Sequence, residues 1–277
     1  MPERPNVLFL FTDQQRHDWV GMHPRVPVRT PNLARLADRG VRFTNAVCPS
    51  PLCGPSRASL ASGMEYDDCG VLDHTENFPL DRTTVYGRLR DEAGYHVAGC
   101  GKFDLHKPAF TWGTDGQHRL EEWGFSAGQD SAGKWATRNS WREHGGPTDP
   151  YMAYLQEEGL AEAHLEDYRK RAERAPGDTF PTPLPEEAYT DNFVGRAGSE
   201  LIADAPDDRQ WFLQVNFPGP HDPWDVTEEM HGWYRGENAV DFPGPAPLSP
   251  DDGYTGDVHN EIRRNYAAMV ENIDRWL

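Results

Sequence analysis

The stretch NVLFLFTD, from Asn6 to Asp13, is an unbroken apolar run that ends in polar residues. This pattern predicts a fully buried strand, of the kind found in parallel sheets that are covered on both faces. Asp13 stands at the carboxyl end of that strand. In open α/β sheets, ligands bind beyond the carboxyl ends of the strands, so we expect Asp13 to lie near a ligand.

Predicted strands and helices alternate along the chain after this run. Alternating or continuous apolar patterns predict further strands at residues 41–47, 95–101 and 210–217. Patterns with a proline near the start or a glycine at the end predict helices at residues 30–40, 54–63, 83–94 and 186–204. In the first of these helices, Thr30 is the expected cap residue. This order of elements implies an α/β sheet with helices on its faces.

Two more segments have a helical pattern. Residues 151–175 predict an exposed helix. The segment DVHNEIRRNYAAMVENIDRWL (257–277) predicts a helix with one apolar stripe, formed by Ile262, Tyr266, Met269, Val270, Ile273 and Leu277. This helix has no stop signal at its end. We therefore expect either that more chain follows Leu277 or that the helix packs against another chain as part of an oligomer. In residues 1–277 alone, the stripe would then be exposed.

The chain has 277 residues and a formal net charge of −18. Such a surface repels nucleic acid and anionic membranes, so we expect neither as a partner. No apolar run is long enough to span a membrane, and no secretory signal precedes the first strand, which favours a cytoplasmic location. Four cysteines, Cys48, Cys53, Cys69 and Cys100, are too few for a disulfide scaffold, and their spacing matches no zinc pattern.

Candidate functional residues lie where the predicted strands end. They are Asp13 and Gln14 after the first strand, Lys102 and His106 after residues 95–101, and His221 after residues 210–217. Because the carboxyl ends of parallel strands meet at one edge of a sheet, these side chains are expected to converge.

A cysteine stands at the start of one predicted helix. In SPLCGPSRASLASG (50–63), Cys53 lies in the turn that opens the helix, and Arg57 follows about one turn later. The positive end of a helix dipole and its free N–H groups favour an anion. Together with the strand-end lysine, histidines and carboxylate, this segment predicts a hydrolase site for a sulfate or phosphate ester.

Four segments follow one another in the order of the motifs of a known family. They are PNVLFLFTDQQR (5–16), TPNLARLADRGVRFTNAVCPSPLCGPSRASLASG (30–63), GYHVAGCGKFDLHK (94–107) and NFPGPHDPW (216–224). The chain resembles the type I sulfatases of the alkaline-phosphatase-like superfamily, most specifically in its Cys-x-Pro-Ser-Arg element. The resemblance implies an α/β fold with a central mixed sheet and helices on both faces. It also implies that residues 1–277 are the N-terminal catalytic part of a sulfatase domain, incomplete at the C-terminus.

The resemblance also implies a chemistry. In that family a formylglycine-generating enzyme oxidises the cysteine to Cα-formylglycine, whose hydrate supplies the attacking oxygen. A divalent metal ion stabilises the charge that develops. The resemblance therefore implies a sulfuric ester hydrolase that acts on a small-molecule or carbohydrate sulfate ester. Ca²⁺ is the expected metal, with Mg²⁺ or Mn²⁺ as alternatives.

The resemblance assigns roles to particular positions of this sequence. Cys53 would be the precursor of the nucleophile, with Arg57 bracing it. The metal ligands would be Asp13, Gln14 and the modified Cys53. The residues that contact the sulfate group or the leaving oxygen would be Lys102 and His221, and Asn77 would contact the rest of the substrate.

This sequence departs from the family pattern in three places. Asp104 stands where the family has a histidine, so either His106 takes over that role or Asp104 contacts a cationic group of the substrate. The pair Asp13-Gln14 resembles the choline-sulfatase and phosphonate-monoester-hydrolase branch. The family's second pair of metal ligands and a further lysine have no counterpart here, so we expect weak metal binding and no turnover by residues 1–277 alone.

Two other functions fit the same residues. A phosphodiesterase or phosphonate monoester hydrolase would use the same scaffold, because these tetrahedral anions share the machinery. An inactive, truncated remnant would bind an anion or a partner without catalysis. The intact Cys-x-Pro-Ser-Arg element argues against the remnant, and activity on paired aryl esters would separate the two hydrolases.

Overall fold

The computed structural model describes residues 4–173, 178–242 and 256–277. Its four strands there are β1 (Val7–Thr12), β2 (His96–Gly101), β3 (Ala127–Asp130) and β4 (Trp211–Phe217). Its α-helices there are α1 (Pro31–Arg39), α2 (Cys53–Ser62), α3 (Val85–Gly87), α4 (Leu120–Trp123), α5 (Lys134–His144), α6 (Pro150–Glu157), α7 (Ala161–Glu173), α8 (Thr190–Ala203), α9 (Glu228–Gly232) and α10 (Gly256–Trp276). A π-helical turn (Arg88–Glu92) follows α3, and 3₁₀ turns occur at Lys107–Ala109, Glu186–Ala188 and Gly236–Asn238.

The four strands form one sheet in the order β1-β4-β2-β3. All three pairings are parallel, with Val7 opposite Phe212 and Ala98 opposite Leu213. The predicted α/β class is therefore confirmed, and the described strands include no antiparallel one. The strand β1 is an edge strand within this sheet, so it is half-buried rather than fully buried as predicted, and Leu8 is 44% exposed.

The chain divides into two compact units. Unit 1 comprises Met1–Asp13, Asn45–Gly159 and Phe193–Pro218 and contains the whole sheet. On one face of the sheet, Val97 packs in a cluster with Ala58 and Ala61 of α2. On the other face, the thiol of Cys100 lies 3.7 Å from the carbonyl oxygen of Val194 in α8. Helices therefore cover both faces, as predicted.

Unit 2 comprises Gln14–Thr44, Leu160–Asn192 and Gly219–Leu277. In its core, α10 packs against aromatic and aliphatic side chains from distant parts of the sequence: Trp19, Tyr189, Val226, Met230, Tyr234 and Phe242. Met269, Val270 and Ile273 are only 0%, 2% and 3% exposed. The expectation that the apolar stripe of this helix is exposed is therefore wrong at these positions, because unit 2 itself supplies the partners.

The first turn of α1 is capped from α10. The carboxylate of Asp274 accepts hydrogen bonds from the N–H groups of Asn32 at 2.9 Å and Leu33 at 2.8 Å. These are two of the donors that a helix leaves unpaired at its N-terminus. The hydroxyl of Thr30, which we expected to cap the helix, accepts instead from the N–H of Gly21 at 2.7 Å.

Three other segments differ from the sequence prediction. Residues 41–47 form no strand, although their alternating pattern predicts one. The side chains of Val41, Phe43 and Val47 are 79%, 81% and 93% exposed, so this segment does not pair with the described sheet. The predicted exposed helix at 151–175 is two helices, α6 and α7, with buried side chains on both. Its last residues, 174 and 175, lie outside the described part. Among the described helices, none is long and apolar enough to cross a membrane.

Candidate active site

The carboxyl ends of β1 and β2 flank β4 and bring two opposite charges together in unit 1. The N–H of Lys102 donates to the carbonyl oxygen of Asn216, at the end of β4, at 3.0 Å. This bond holds the backbone of Lys102 at the end of β4, and the ammonium group of Lys102 donates to the carboxylate of Asp13. The Nη2 atom of Arg57, from α2, lies 3.4 Å from the same carboxylate oxygen. All three charged side chains are buried.

Asp104 supplies the second buried carboxylate. One of its oxygens lies 3.2 Å from the ammonium nitrogen of Lys102 and 3.4 Å from that of Lys107. Its backbone has φ 54°, in the left-handed region that non-glycine residues rarely adopt. Burial alone would raise the pKa of Asp104, but Lys102, Lys107 and Arg57 outweigh it and hold that pKa far below its usual range. Asp104 is therefore ionised and serves as a shared anchor for two lysines.

Lys102 is held from several sides. Burial would lower the pKa of its ammonium group, but Asp104 and Asp13 outweigh burial and raise the pKa above its ordinary value. Gly133, just before α5, packs against the same side chain. A Cβ atom there would stand 2.8 Å from Cε and 3.2 Å from Nζ of Lys102. The glycine therefore leaves the space in which the lysine reaches both carboxylates.

A third buried carboxylate supports the loop after β2. Asp130, at the end of β3, accepts a hydrogen bond from the N–H of Phe103 at 3.2 Å. Burial, reinforced by the negative charge of Asp104, raises the pKa of Asp130 well above its usual value. The carboxyl group of Asp130, which supports the loop after β2, therefore has a strong tendency to stay protonated.

The Cys53 thiol lies at the first turn of α2, beside this group of charges. Its Sγ is 3.4 Å from Nζ of Lys107 and 3.9 Å from Nε2 of His74. Burial and the charge of Asp104 raise the pKa of the thiol, and Lys102 and Lys107 only partly oppose them. The unmodified cysteine is therefore a protonated thiol at neutral pH and a poor nucleophile in its own right.

We call Asp13, Cys53, Arg57, Lys102, Asp104 and Lys107 the Cys53 cluster. The structure thus brings together five of the predicted site residues and adds Lys107. Sequence reasoning missed Lys107 and the neighbouring His74. One signal was available: Lys107 is one of only four lysines in the chain and follows Lys102 by five residues. His74 gave no such signal.

For two other predicted residues of unit 1, the described interactions include no contact with Cys53, and their roles remain predictions. The ring of His106 stacks on that of His118, with centroids 6.1 Å apart, and its described interactions do not reach Cys53. Burial, with the charge of Arg119, lowers the pKa of His106. Asn77 is exposed. Of the two alternatives for the family's histidine position, Asp104 is the residue that stands in the Cys53 cluster.

Gln14 and His221 belong to unit 2. Gln14 has φ 59°, and its carbonyl oxygen accepts a hydrogen bond from the hydroxyl of Tyr266 at 2.8 Å. His221 lies on the loop after β4, with Nδ1 3.1 Å from a carboxylate oxygen of Asp222. Their assignment to the site remains a prediction from chain order.

The donor atoms for a metal ion are of the right type but too few in the described residues. Oxygen ligands for a hard cation are present in Asp13 and Asp104. However, Asp13 already faces Lys102 and Arg57, and Asp104 faces two lysines. Within residues 4–173, 178–242 and 256–277, no group of three or more His, Cys, Asp or Glu residues is arranged to hold a metal ion. These residues do not by themselves fit the metal that the resemblance implies.

Known proteins with related sequences and structures are sulfatases and phosphonate hydrolases. Choline-sulfatase from Rhizobium meliloti is 27% identical over 289 residues, covering 98% of this chain and 49% of that protein. The crystal structure of phosphonate monoester hydrolase from Agrobacterium radiobacter has a TM-score of 0.72 and 21% identity, covering 99% of this chain and 57% of that one. The structure of BT4656 in complex with its substrate, D-glucosamine-2-N,6-O-disulfate, has a TM-score of 0.64 and 17% identity, covering 99% of this chain and 60% of that one.

These comparisons confirm the predicted alkaline-phosphatase-like fold. The chain spans only about half the length of the choline-sulfatase and of the phosphonate monoester hydrolase. A sequence model of the Sulfatase family matches residues 5–277. This chain therefore belongs to the sulfatase family.

Proposed function

We propose that this chain is the N-terminal catalytic part of a sulfuric ester hydrolase whose nucleophile is a formylglycine made from Cys53. One observation carries the proposal. Cys53 begins α2 beside a lysine at 3.4 Å, in a cluster of two lysines, an arginine and two carboxylates. Such an array suits a tetrahedral anion at the position of the Cys53 side chain.

Modification of Cys53 fits the chemistry of its surroundings. A protonated thiol is a weak nucleophile, whereas formylglycine would supply a hydrated aldehyde as an oxygen nucleophile and a route for releasing sulfate. The position of Cys53 also suits this chemistry, because the side chain is only partly buried and a lysine ammonium group stands next to it.

The charged residues around Cys53 would bind and orient the sulfate group. Lys102 and Arg57 present N–H donors that are fixed by Asp13, so little reorganisation is needed when an anion arrives. His221 would hold the sulfate group or protonate the leaving oxygen. The support for His221 and Gln14 is that they follow β4 and β1 in the chain, and Asn77 keeps the substrate-binding role that the resemblance implies.

The divalent metal ion stays part of the proposal for the longer protein only. Asp13 would supply one oxygen ligand and Gln14 would stand beside it. The described residues do not by themselves complete the coordination shell of this ion.

The proposed substrate is a sulfate ester of a small molecule or a carbohydrate. Support comes from a choline-sulfatase among the relatives and a sulfated glucosamine bound by a structural neighbour. Phosphonate monoester hydrolases among the structural neighbours make a phosphonate or phosphate diester the first competitor to test.

The first experiment tests the modification. The chain is coexpressed with a formylglycine-generating enzyme, and the peptide that contains Cys53 is mapped by mass spectrometry. We expect conversion of Cys53 but not of Cys48, an exposed cysteine five residues earlier that serves as an internal control. A fully unmodified Cys53 after efficient coexpression would contradict the proposal.

The second experiment tests catalysis in a natural-length version of the protein. Aryl sulfate, aryl phosphonate and phosphate diester substrates with the same leaving group are compared. We expect the sulfate to react fastest, and Lys102→Ala or His221→Ala to lower the rate by about 10²-fold or more. Lys170→Ala, on the exposed side of α7, is the control. Near-normal turnover by either site variant would remove that residue from the site.

A further inference from the structure

We propose that Lys107 is a catalytic residue that receives the anionic group of the substrate beside Cys53. This inference rests on the proposed function, in that the anion is taken to be the ester group that reacts there. The starting observation is a pair of distances. The ammonium nitrogen of Lys107 lies 3.4 Å from Sγ of Cys53 and 3.4 Å from a carboxylate oxygen of Asp104.

The charges of the Cys53 cluster leave one cation in excess. Its cations are Arg57, Lys102 and Lys107, and its anions are Asp13 and Asp104. Asp13 faces Arg57 and Lys102, whereas Lys107 shares Asp104 with Lys102. Within unit 1, the cluster therefore carries about one net positive charge before any anion arrives.

Lys107 is the most accessible of the three cations to an incoming anion. The side chains of Lys102 and Arg57 are only 3% and 4% exposed, whereas that of Lys107 is 23% exposed. The two buried cations hold the interior of the cluster together. The exposed one stands over the reactive atom.

His74 does not supply this charge, although it also borders the thiol. Burial and the nearby Lys107 lower the pKa of the His74 imidazole, so the ring is neutral near pH 7. One carboxylate oxygen of Asp104 is shared by the ammonium groups of Lys102 and Lys107. At Cys53 itself, Lys107 and Lys102 are therefore the groups that favour negative charge, and they act against burial and the carboxylate of Asp104.

The electrostatic potential at Cys53 can be measured in an experiment that does not depend on sulfatase activity. The chain is produced without the modifying enzyme, so that Cys53 stays a thiol, and is kept in a metal chelator. It is alkylated at one pH with iodoacetate, which is anionic, and with iodoacetamide, which is neutral. The ratio of the two rates reports the local potential, because the fraction of thiolate cancels. Fragment-ion mapping separates Cys53 from Cys48, which provides the reference ratio in the same molecule.

We expect the wild-type ratio at Cys53 to exceed that at Cys48, and Lys107→Met to lower it by roughly 3- to 10-fold. Lys107→Arg should keep most of the preference, and Lys170→Met should leave it unchanged. The Cys69 thiol, which is 0% exposed, should resist alkylation in every variant, which shows that the fold is intact. A ratio at Cys53 that does not change in Lys107→Met would overturn the inference.

A kinetic arm separates this inference from the proposed function. In the modified, natural-length enzyme, Lys107→Met should lower kcat/KM for an aryl sulfate by about 10²-fold, with partial recovery in Lys107→Arg. If the alkylation preference depends on Lys107 but the wild type cleaves no ester, the anion site stands and the proposed function fails. If the enzyme cleaves sulfate esters equally well without Lys107, the function stands and this inference fails.

Discussion

Lys102 donates to the carboxylate of Asp13 from a position 89 residues later in the chain, and both side chains are more than nine-tenths buried. The contact joins the ends of two strands that are not adjacent in the sheet, because β4 lies between them. It therefore forms only when three strands are in register. The ion pair reports on correct assembly of the sheet as well as on the site.

Asp13→Asn should destabilise the protein by roughly 3 to 5 kcal/mol, because it leaves Lys102 and Arg57 as buried charges that share only Asp104. Urea unfolding followed by tryptophan fluorescence measures the loss. Asp208→Asn removes one partner of an ion pair whose side chains are 57% and 72% exposed, and its effect should be much smaller. Equal losses in the two variants would show that the Asp13 pair adds nothing through burial.

Gly133→Ala should impair the site more than the fold. The backbone of Gly133 has φ −76° and ψ 167°, which alanine adopts readily, so any effect comes from the added methyl group. That group would displace Lys102, and we expect kcat/KM of the modified enzyme to fall by at least about 10-fold, with about 1 to 3 kcal/mol lost from overpacking. Gly146→Ala, where no atom lies within 4 Å, should leave both quantities unchanged. Equal kcat/KM values in Gly133→Ala and Gly146→Ala would rule out a steric role for Gly133.

Asp149→Asn should change how stability depends on pH. Burial raises the pKa of Asp149 to about 7, although its carboxylate accepts hydrogen bonds from the first turn of α6. A folded-state pKa above the unfolded value means that stability is greatest when the group is protonated and falls as pH rises from about 4 to 7. Asparagine keeps the cap and cannot ionise. The variant should therefore gain stability relative to wild type across that window, by up to about 4 kcal/mol.

Denaturant unfolding at several pH values measures this difference, with wild type and Asp149→Asn compared at each. The difference should be smallest near pH 4, grow towards pH 7 and level off above it. A difference that is constant across the window would show that Asp149 has an ordinary pKa in the folded protein.

Met269→Ala should destabilise the protein by about 2 to 5 kcal/mol, because Met269 is 0% exposed in the core of unit 2. Ile202→Ala, at a side chain that is 42% exposed, is the control and should lose far less. Chemical denaturation measures both. A negligible loss at Met269 would restore the earlier expectation that the stripe on α10 lacks partners in this chain.

The sequence predicted the parts of the site that are encoded locally. Asp13, Cys53 and Lys102 each stand at the end of a strand or the start of a helix, and the pattern of neighbouring residues marks those positions. Lys107 and His74 were missed because their nearness to Cys53 arises only when separate loops fold together. Spacing along the chain carries no information on that contact.

The errors in the fold have the same origin. Residues 41–47 have the alternation of a strand, but a strand also needs a neighbour, and periodicity does not say whether one exists. The stripe on α10 was read correctly as apolar. Its burial depends on Trp19 and Tyr234, which lie far away in the sequence. The sequence pattern thus predicted the apolar and polar positions of each segment, and only the structure showed which other segments pack against them.

The position of β1 at the edge of the described sheet bears on how molecules of this chain would associate. Its six residues, Val7–Thr12, include no charge and no proline, the two devices that commonly stop one edge strand from pairing with another. Short apolar segments of this kind promote strand addition and aggregation when they are exposed. Since the stripe on α10 is largely enclosed in unit 2, concentration-dependent self-association of this chain would involve backbone hydrogen bonds of β1 rather than helix packing.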